Sequence, residues 1–543
     1  MAWRRRTSSG CTAVLLTVAL LAAACGDDDS GGGASAPTTA GGPTTSGAAT
    51  SATSDDDAAD VDPEGVLRIG DDLTSGSGIF FDLTVPVSTP RPWHTMILDT
   101  LLREMPDGSI EPGLAESADV VDASTIKVRL KPDITFSDGT PVDAEAVKFT
   151  IERNLAEGKP GSFEVEFYEL DSITVDDPLS FTIRLKSPVA GAWYRLLRLV
   201  TTSPVSPTAV RNGVNLNEEP VGAGPFMLDS YEEARFLRLV KNPSYFDADR
   251  IRLAGIEFVQ VMPGAPVIVA LRSGAIDVPF TLAYHQLGEL EGTGINTEAR
   301  ATGNITLQGH ICKSRPPFDD VRVRQALNYG IDRDALNAAV YDGKAEPMWG
   351  FFPPGHPLHH PAVDGYYEYD PERARALLAE AGQSALTFDA FFTGGVPQRA
   401  GEVLQQQLAE IGVTMNLVPL VNQADFFPDA RGAPMNILPL ARSGLNKVTR
   451  VFVPGSYGNV CTYDDPDLNA VVAELRAVRE DAPEAKELWA ELQEIALEDA
   501  ITIFGLFGLE SVAWGERVGN ASFLPSEHGQ APVVNFYDVY IKA

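Results

Sequence analysis

The chain has 543 residues, 44% of them hydrophobic, which is more than one core needs, so two or three packed lobes are expected. Its formal net charge of −33 makes a surface that repels phosphate backbones and anionic headgroups, which argues against nucleic acid as a partner. The same charge favours a soluble monomer and does not identify a ligand.

Met1 to Gly10 is basic, with Arg4, Arg5 and Arg6, and Cys11 to Ala24 is a short apolar run ending in small residues. This pattern predicts a signal peptide over residues 1–24 and not a spanning helix, because the apolar run is too short. Cys25 follows Leu21-Ala22-Ala23-Ala24 directly, an arrangement that resembles a bacterial lipobox. In that reading Cys25 is acylated and becomes the mature N-terminus; the alternative is an ordinary export signal with an incidental cysteine. Residues 25–62 hold Gly, Ser, Thr, Ala, Pro and Asp with almost no large apolar side chain. Such a segment cannot bury enough surface to offset chain entropy, so a disordered tether is expected, spanning roughly 30–37 Å r.m.s.. The expected location is outside the cytoplasm, anchored to the cell membrane by the N-terminal lipid.

From residue 63 onward strand and helix patterns alternate without a fixed repeat. Ile126, Val128 and Leu130 alternate with charged residues, as do Phe181, Ile183 and Leu185 with polar ones, and both runs read as half-buried strands. Between them Ala144, Val147, Ile151 and Leu155 share one helical face. Asp370-Pro371-Glu372 is a helix start, with Asp as N-cap, and Gly382 stops that helix. A similar design runs from Ala400 to Gly412, and apolar stripes at Leu468–Leu475 and Ala485–Ile495 mark two more helices. Ser137 to Pro141 reads as a turn, and Asp319, Asp320 and Asp332 as helix caps rather than metal ligands. Val221-Gly222-Ala223-Gly224-Pro225-Phe226 lacks the third glycine and the following helix of a nucleotide loop.

Enzyme signatures are thin. No nucleophile elbow, zinc-protease helix, Walker loop or Cys-x-x-Cys motif occurs, and no nucleophile is paired with a base at a recognised spacing. With seven histidines in all, the one cluster is His356, His359 and His360, which reads either as a metal or haem contact or as a Pro-rich surface loop. No catalytic residue, cofactor or metal is assigned.

Several segments in order resemble the oligopeptide/dipeptide/nickel-type solute-binding proteins of ABC importers, family 5. They are Ile97–Leu102 with Pro106–Gly108 and Glu111–Ser117, Val128–Lys131 running into Phe136–Val142, and Val221–Tyr231. Lys241–Asp247, Ala270–Val278, Pro316–Leu336 and Tyr369–Gly382 follow. The resemblance implies an α/β fold of the periplasmic-binding-protein type II, with two main lobes and an inserted extra lobe. Lobe I would take residues 63–95, 207–305 and 505–543, lobe II residues 96–206, and lobe III residues 306–504. It also implies a small solute held between lobes I and III and handed to importer permease subunits, the alternatives being a metal or haem carrier of the same fold or a hydrolytic enzyme. Once Cys11 is removed and Cys25 acylated, Cys312 and Cys461 are the remaining thiols; both fall in lobe III, and the expectation is a disulfide between them rather than two buried thiols.

Relatives that bind amines often carry an acid after a Trp in lobe III, whereas the matching stretch, Leu438 to Lys447, has neither and offers Arg442, Asn446 and Lys447. The expected solute is therefore a blocked peptide, a sugar derivative or an organic acid. Phe80, Phe81, Trp349, Tyr457 and Asn459 complete the expected pocket, since a closed cleft needs aromatic rings with a few convergent polar groups.

Overall fold

The computed structural model describes residues 61–75, 78–84, 91–157, 165–420, 433–441, 444–456, 459, 462–524 and 532–543. Of the expected functional residues, Cys25, Arg442, Tyr457 and Cys461 lie outside these.

The chain begins the fold with β1 (Val66–Asp71) and α1 (Pro92–Leu98). It then builds an antiparallel sheet from β2 (Ala115–Asp122), β3 (Thr125–Leu130), β4 (Leu170–Asp177) and β5 (Ser180–Leu185), ordered β2-β3-β5-β4. The helices α2 (Ala144–Glu157) and α3 (Ala190–Leu196) belong to this excursion. The chain returns through β6 (Phe226–Glu232), β7 (Phe236–Lys241), β8 (Gly255–Gln260), α4 (Ala265–Arg272) and β9 (Val278–Pro279). With β1 these strands form a five-stranded sheet, ordered β9-β1-β8-β7-β6, in which β1 runs parallel to both of its neighbours.

β10 (Asn296–Arg300) leads into a second sheet of β11 (Ile305–Ile311), β12 (Glu346–Pro347), β13 (Thr387–Phe392), β14 (Thr414–Pro419), β15 (Met435–Ala441) and β16 (Thr502–Phe507). Their order is β12-β16-β11-β15-β13-β14. Around it lie α5 (Val321–Tyr329), α6 (Arg333–Tyr341), α7 (Pro371–Glu380), α8 (Val396–Glu410), α9 (Gly444–Phe452), α10 (Pro466–Ala477) and α11 (Pro483–Glu498). Finally β17 (Glu510–Trp514) pairs antiparallel with β10.

Local chemistry explains the element ends. Asp370 accepts the Arg373 amide at 2.9 Å, Pro371 fills the first turn of α7, and Gly382 closes it at φ 71°. Asp320 and Asp332 accept the amides of Arg322 and Ala335, so both are caps of α5 and α6. In β3, Ile126, Val128 and Leu130 are buried while Lys127 and Arg129 face solvent. Gly222 and Gly224 lie against α1: a Cβ there would sit 2.2 Å from the Ile97 carbonyl and 2.4 Å from that of Met96. Close packing, not anion binding, is what those glycines permit.

Two large cores result. The first draws on residues from Leu67 to Phe280 and again from Val512 to Ile541, and the second on residues from Leu307 to Leu509. Ile126, Val128, Phe181 and Ile183 of the four-stranded sheet join the first core without a break. All of β16 stays with β11 in the second sheet, and the second core runs on to Leu509. The ladder from Thr502 to Phe507 carries a bulge at Gly505, where the register shifts opposite Leu307 and Gln308. The chain therefore crosses between cores twice, at β10 and β17, and those two strands pair with each other.

Two further features fix the arrangement. Asp99, Arg103, Tyr245 and Tyr537 form a buried cluster: Arg103 Nη2 meets Asp99 Oδ2 at 2.6 Å, and Tyr245 and Tyr537 donate to the same carboxylate at 2.8 and 3.0 Å. Separately, α3 meets the end of α10. Arg476 Nε lies 3.5 Å from Glu166, Arg198 Nη2 3.7 Å from Glu480, and the Arg479 guanidinium 4.3 Å from the Tyr194 ring.

Candidate functional site

In open α/β sheets ligands sit outside the carboxyl ends of parallel strands, because the loops there diverge and leave a crevice. The carboxyl ends of β1, β8 and β9 surround such a recess of about 240 Å³, lined by Gly70, Asp71, Asp72, Arg91, Val261 and Phe280 among others. Gly70 and Asp71 end β1, Val261 follows β8, and Phe280 follows β9.

The polar side of the recess is built in detail. Arg91 pairs with Asp71 through Nη2, its Nη1 donates to Ser75 Oγ at 3.2 Å, and Nη2 also reaches the Asp72 carbonyl at 3.4 Å. The guanidinium lies 5.2 Å from the Trp93 ring and 5.3 Å from that of Phe280. Its Nε is buried without a hydrogen bond among the described residues. Burial pushes the Asp71 carboxyl above its ordinary range, and the Arg91 charge only partly opposes this. At Asp72 burial acts the same way, but hydrogen bonds from Thr74 and Gln260 outweigh it and hold the carboxyl below its ordinary range. Asp72 Oδ1 accepts from Thr74 N at 3.1 Å, Thr74 Oγ1 at 2.6 Å and Gln260 Nε2 at 3.1 Å. The facing wall is apolar: Val261, Pro263, Val267 and the Phe280 ring.

The expected pocket residues that the structure describes lie outside this recess. Phe80 and Phe81 are buried in the first core, packed on His94 and Tyr231 at 4.6 and 5.6 Å, and do not line the recess. Trp349 is half-buried against the second core, with the Arg333 guanidinium 4.5 Å from its ring. Asn446 is buried, and Asn459 staples its own loop through Val453 O and Tyr463. Lys447 is 2% exposed, and its amine donates to the Gly303 carbonyl at 2.9 Å, with no carboxylate paired to it among the described residues. Burial pulls its pKa down to about 7.

The three histidines face different partners. His356 stacks on Phe352 at 4.4 Å, His359 Nε2 meets Asp364 at 3.2 Å, and His360 Nε2 lies 3.4 Å from Glu494. Among the described residues no group of three His, Cys, Asp or Glu side chains is placed to hold a metal. Cys312 is buried and disulfide-bonded, with its partner outside the described residues. Asp71, Asp72 and Arg91 were missed by the sequence reading. The usable signal was the run Val66-Leu67-Arg68-Ile69-Gly70-Asp71-Asp72, an apolar strand ending in glycine and two acids.

Solved structures share this fold. The substrate-binding protein CtaP of an ABC transporter from Listeria monocytogenes superposes with a TM-score of 0.73 at 21% identity, over 88% of this chain and 99% of that one. The periplasmic binding protein DppA from Helicobacter pylori, solved with the peptide STSA, gives 0.70 at 20% identity over 88% and 98%. The architecture is thus that of a type II periplasmic binding protein. The sequence profile of the bacterial extracellular solute-binding proteins, family 5 (middle region), matches residues 109–447, and the chain belongs to that family. The glutathione-binding protein GsiB from Shigella flexneri serotype 5b (strain 8401) is 31% identical over 307 residues, 55% of this chain and 59% of GsiB. The aligned region spans about three fifths of the curated relatives it matches.

Proposed function

We propose that this protein is an extracytoplasmic solute receptor that closes around a peptide-like small molecule and delivers it to the permease of an ABC importer. The observation that carries the reading is the recess at the carboxyl ends of β1, β8 and β9, in a molecule whose chain crosses between two cores at β10 and β17. Two paired strands are a hinge: small dihedral changes at β10 and β17 swing one core against the other. Family membership supports the same reading, and relatives of this kind are binding proteins, not enzymes. The lobes would follow the cores, with the second core as lobe III and the first shared by lobes I and II. The Leu21–Cys25 segment supports a lipid anchor on the extracytoplasmic face, and no described helix is long and apolar enough to cross a membrane. The molecule would act as a monomer. The test is small-angle scattering with native mass spectrometry on protein purified without refolding. Release of a bound small molecule, with expansion on its removal and compaction on its return, is expected. An unchanged radius with and without the solute would refute hinge capture.

A further inference from the structure

We infer that the recess under Asp71 and Asp72 seats a cationic nitrogen of the solute, a primary ammonium or a guanidinium carried on an aliphatic or peptide frame. This rests on the receptor reading above and names the substrate class for the same recess.

Three charged side chains line it: Asp71, Asp72 and Arg91. Asp71 and Arg91 neutralise one another, so the recess keeps the negative charge of Asp72. Arg91 is not available to clamp an anion. Both of its Nη atoms are engaged by Asp71, Ser75 and the Asp72 carbonyl, and its plane lies between Trp93 and Phe280. Bidentate capture of a carboxylate needs a free pair of N–H groups on one guanidinium edge; both Nη atoms are engaged, and Nε is buried. A ligand carboxylate would also face the Asp72 carboxylate at close range, a like-charge contact.

A cation meets the opposite situation. Asp72 is fixed through Oδ1 by three hydrogen bonds, while its Oδ2 accepts none from the described residues. An N–H donor can therefore bind a carboxylate already held in place, without ordering it first. The wall of Val261, Pro263, Val267 and Phe280 suits the methylenes or Cα of such a group. About 240 Å³ is room for one amino-acid-sized moiety rather than a whole peptide. This recess lies on the first core, whereas the sequence reading looked to Arg442 and Lys447 for the charge that selects the ligand. Lys447 cannot select from where it is, since its amine is buried on Gly303.

The test uses the protein from Cys25 onward, without its lipid, stripped of endogenous solute by unfolding and refolding. An enzymatic casein hydrolysate, the same hydrolysate after N-acetylation, a pool of sugars and a pool of dicarboxylic acids are compared by thermal shift. Retained species are identified by mass spectrometry and titrated individually. Stabilisation by the free-amine pool is expected, with acetylation weakening the retained species at least tenfold. Asp72→Asn should weaken them by tenfold or more with an unchanged circular dichroism spectrum, and Asp72→Glu should recover part of the loss. Equal binding of acetylated species, or full affinity in Asp72→Asn, would overturn the inference. Response to the sugar or dicarboxylate pool alone would overturn it while leaving the receptor reading intact. No response to any pool would count against both.

Discussion

Replacing Gly191 with Ala should open the molecule rather than unfold it. Gly191 lies in α3, and a Cβ there would stand 1.8 Å from the carbonyl oxygen of Val478 and 2.2 Å from its carbon. Both are backbone atoms, so no rotamer change relieves the clash. Overpacking of this kind costs typically about 1–3 kcal/mol. The chain crosses between the two cores at β10 and β17, so hinge opening there that parts α3 from α10 removes the clash without disturbing either core. In the open form the substitution is favourable, since Ala gains on Gly by about 1 kcal/mol within a helix. The shift toward the open form should therefore weaken solute binding by about 5- to 150-fold, at one decade per 1.4 kcal/mol. Isothermal titration measures the affinity, small-angle scattering the radius, and thermal melting of the solute-free protein should change little. Unaltered affinity combined with a lower melting temperature would show that α3 and α10 stay together in both forms, and would refute the reasoning.

Other expectations follow from single groups. Asp99→Ala leaves the buried Arg103 guanidinium without its carboxylate and should cost about 3–5 kcal/mol in urea denaturation; a loss under about 1 kcal/mol would contradict the buried-pair account. Lys447 is held neutral by burial, with a pKa near 7, so from about pH 7 up to its unfolded value the unfolded chain binds more protons at this site. Stability should rise with pH across that window through this residue, and the rise should be smaller in Lys447→Met; parallel pH profiles would dismiss the effect. The disulfide of Cys312 is proposed to reach Cys461, because Ser314 Oγ lies 3.4 Å from Thr462 Oγ1 and Lys313 stands 3.7 Å from the Tyr463 ring. Non-reducing peptide mapping should recover that pair, and two labelled thiols in the denatured protein would reject it. Cys25→Ser should release the protein from the membrane fraction, and retention as firm as the parent's would dismiss the lipid anchor.

The sequence carried the local elements well because their causes are local. Asp370 with Pro371, the alternation at Ile126–Leu130 and the caps at Asp320 and Asp332 each act within a few residues, and all sit where the pattern placed them. The recess was not legible for the opposite reason. It exists because β1 pairs with β8 and β9 from about two hundred residues away, bringing Asp71 beside Phe280, and no spacing rule encodes that pairing. The burial of Lys447 and Phe80 was not legible either, because burial depends on what packs over a side chain from distant parts of the chain.

The division of the cores also sets an order of assembly. The second core is made from one uninterrupted run, from Leu307 to Leu509, so it has every residue it needs once that run has emerged. The first has to wait for residues between Val512 and Ile541, including Tyr537, which donates to Asp99 more than four hundred positions earlier. Closing that loop is slow compared with local contacts, because its entropy is lost before the long-range contact repays it. The half that carries the recess is therefore the last to finish, and an emerging chain stays open and threadable until nearly all of it has been made.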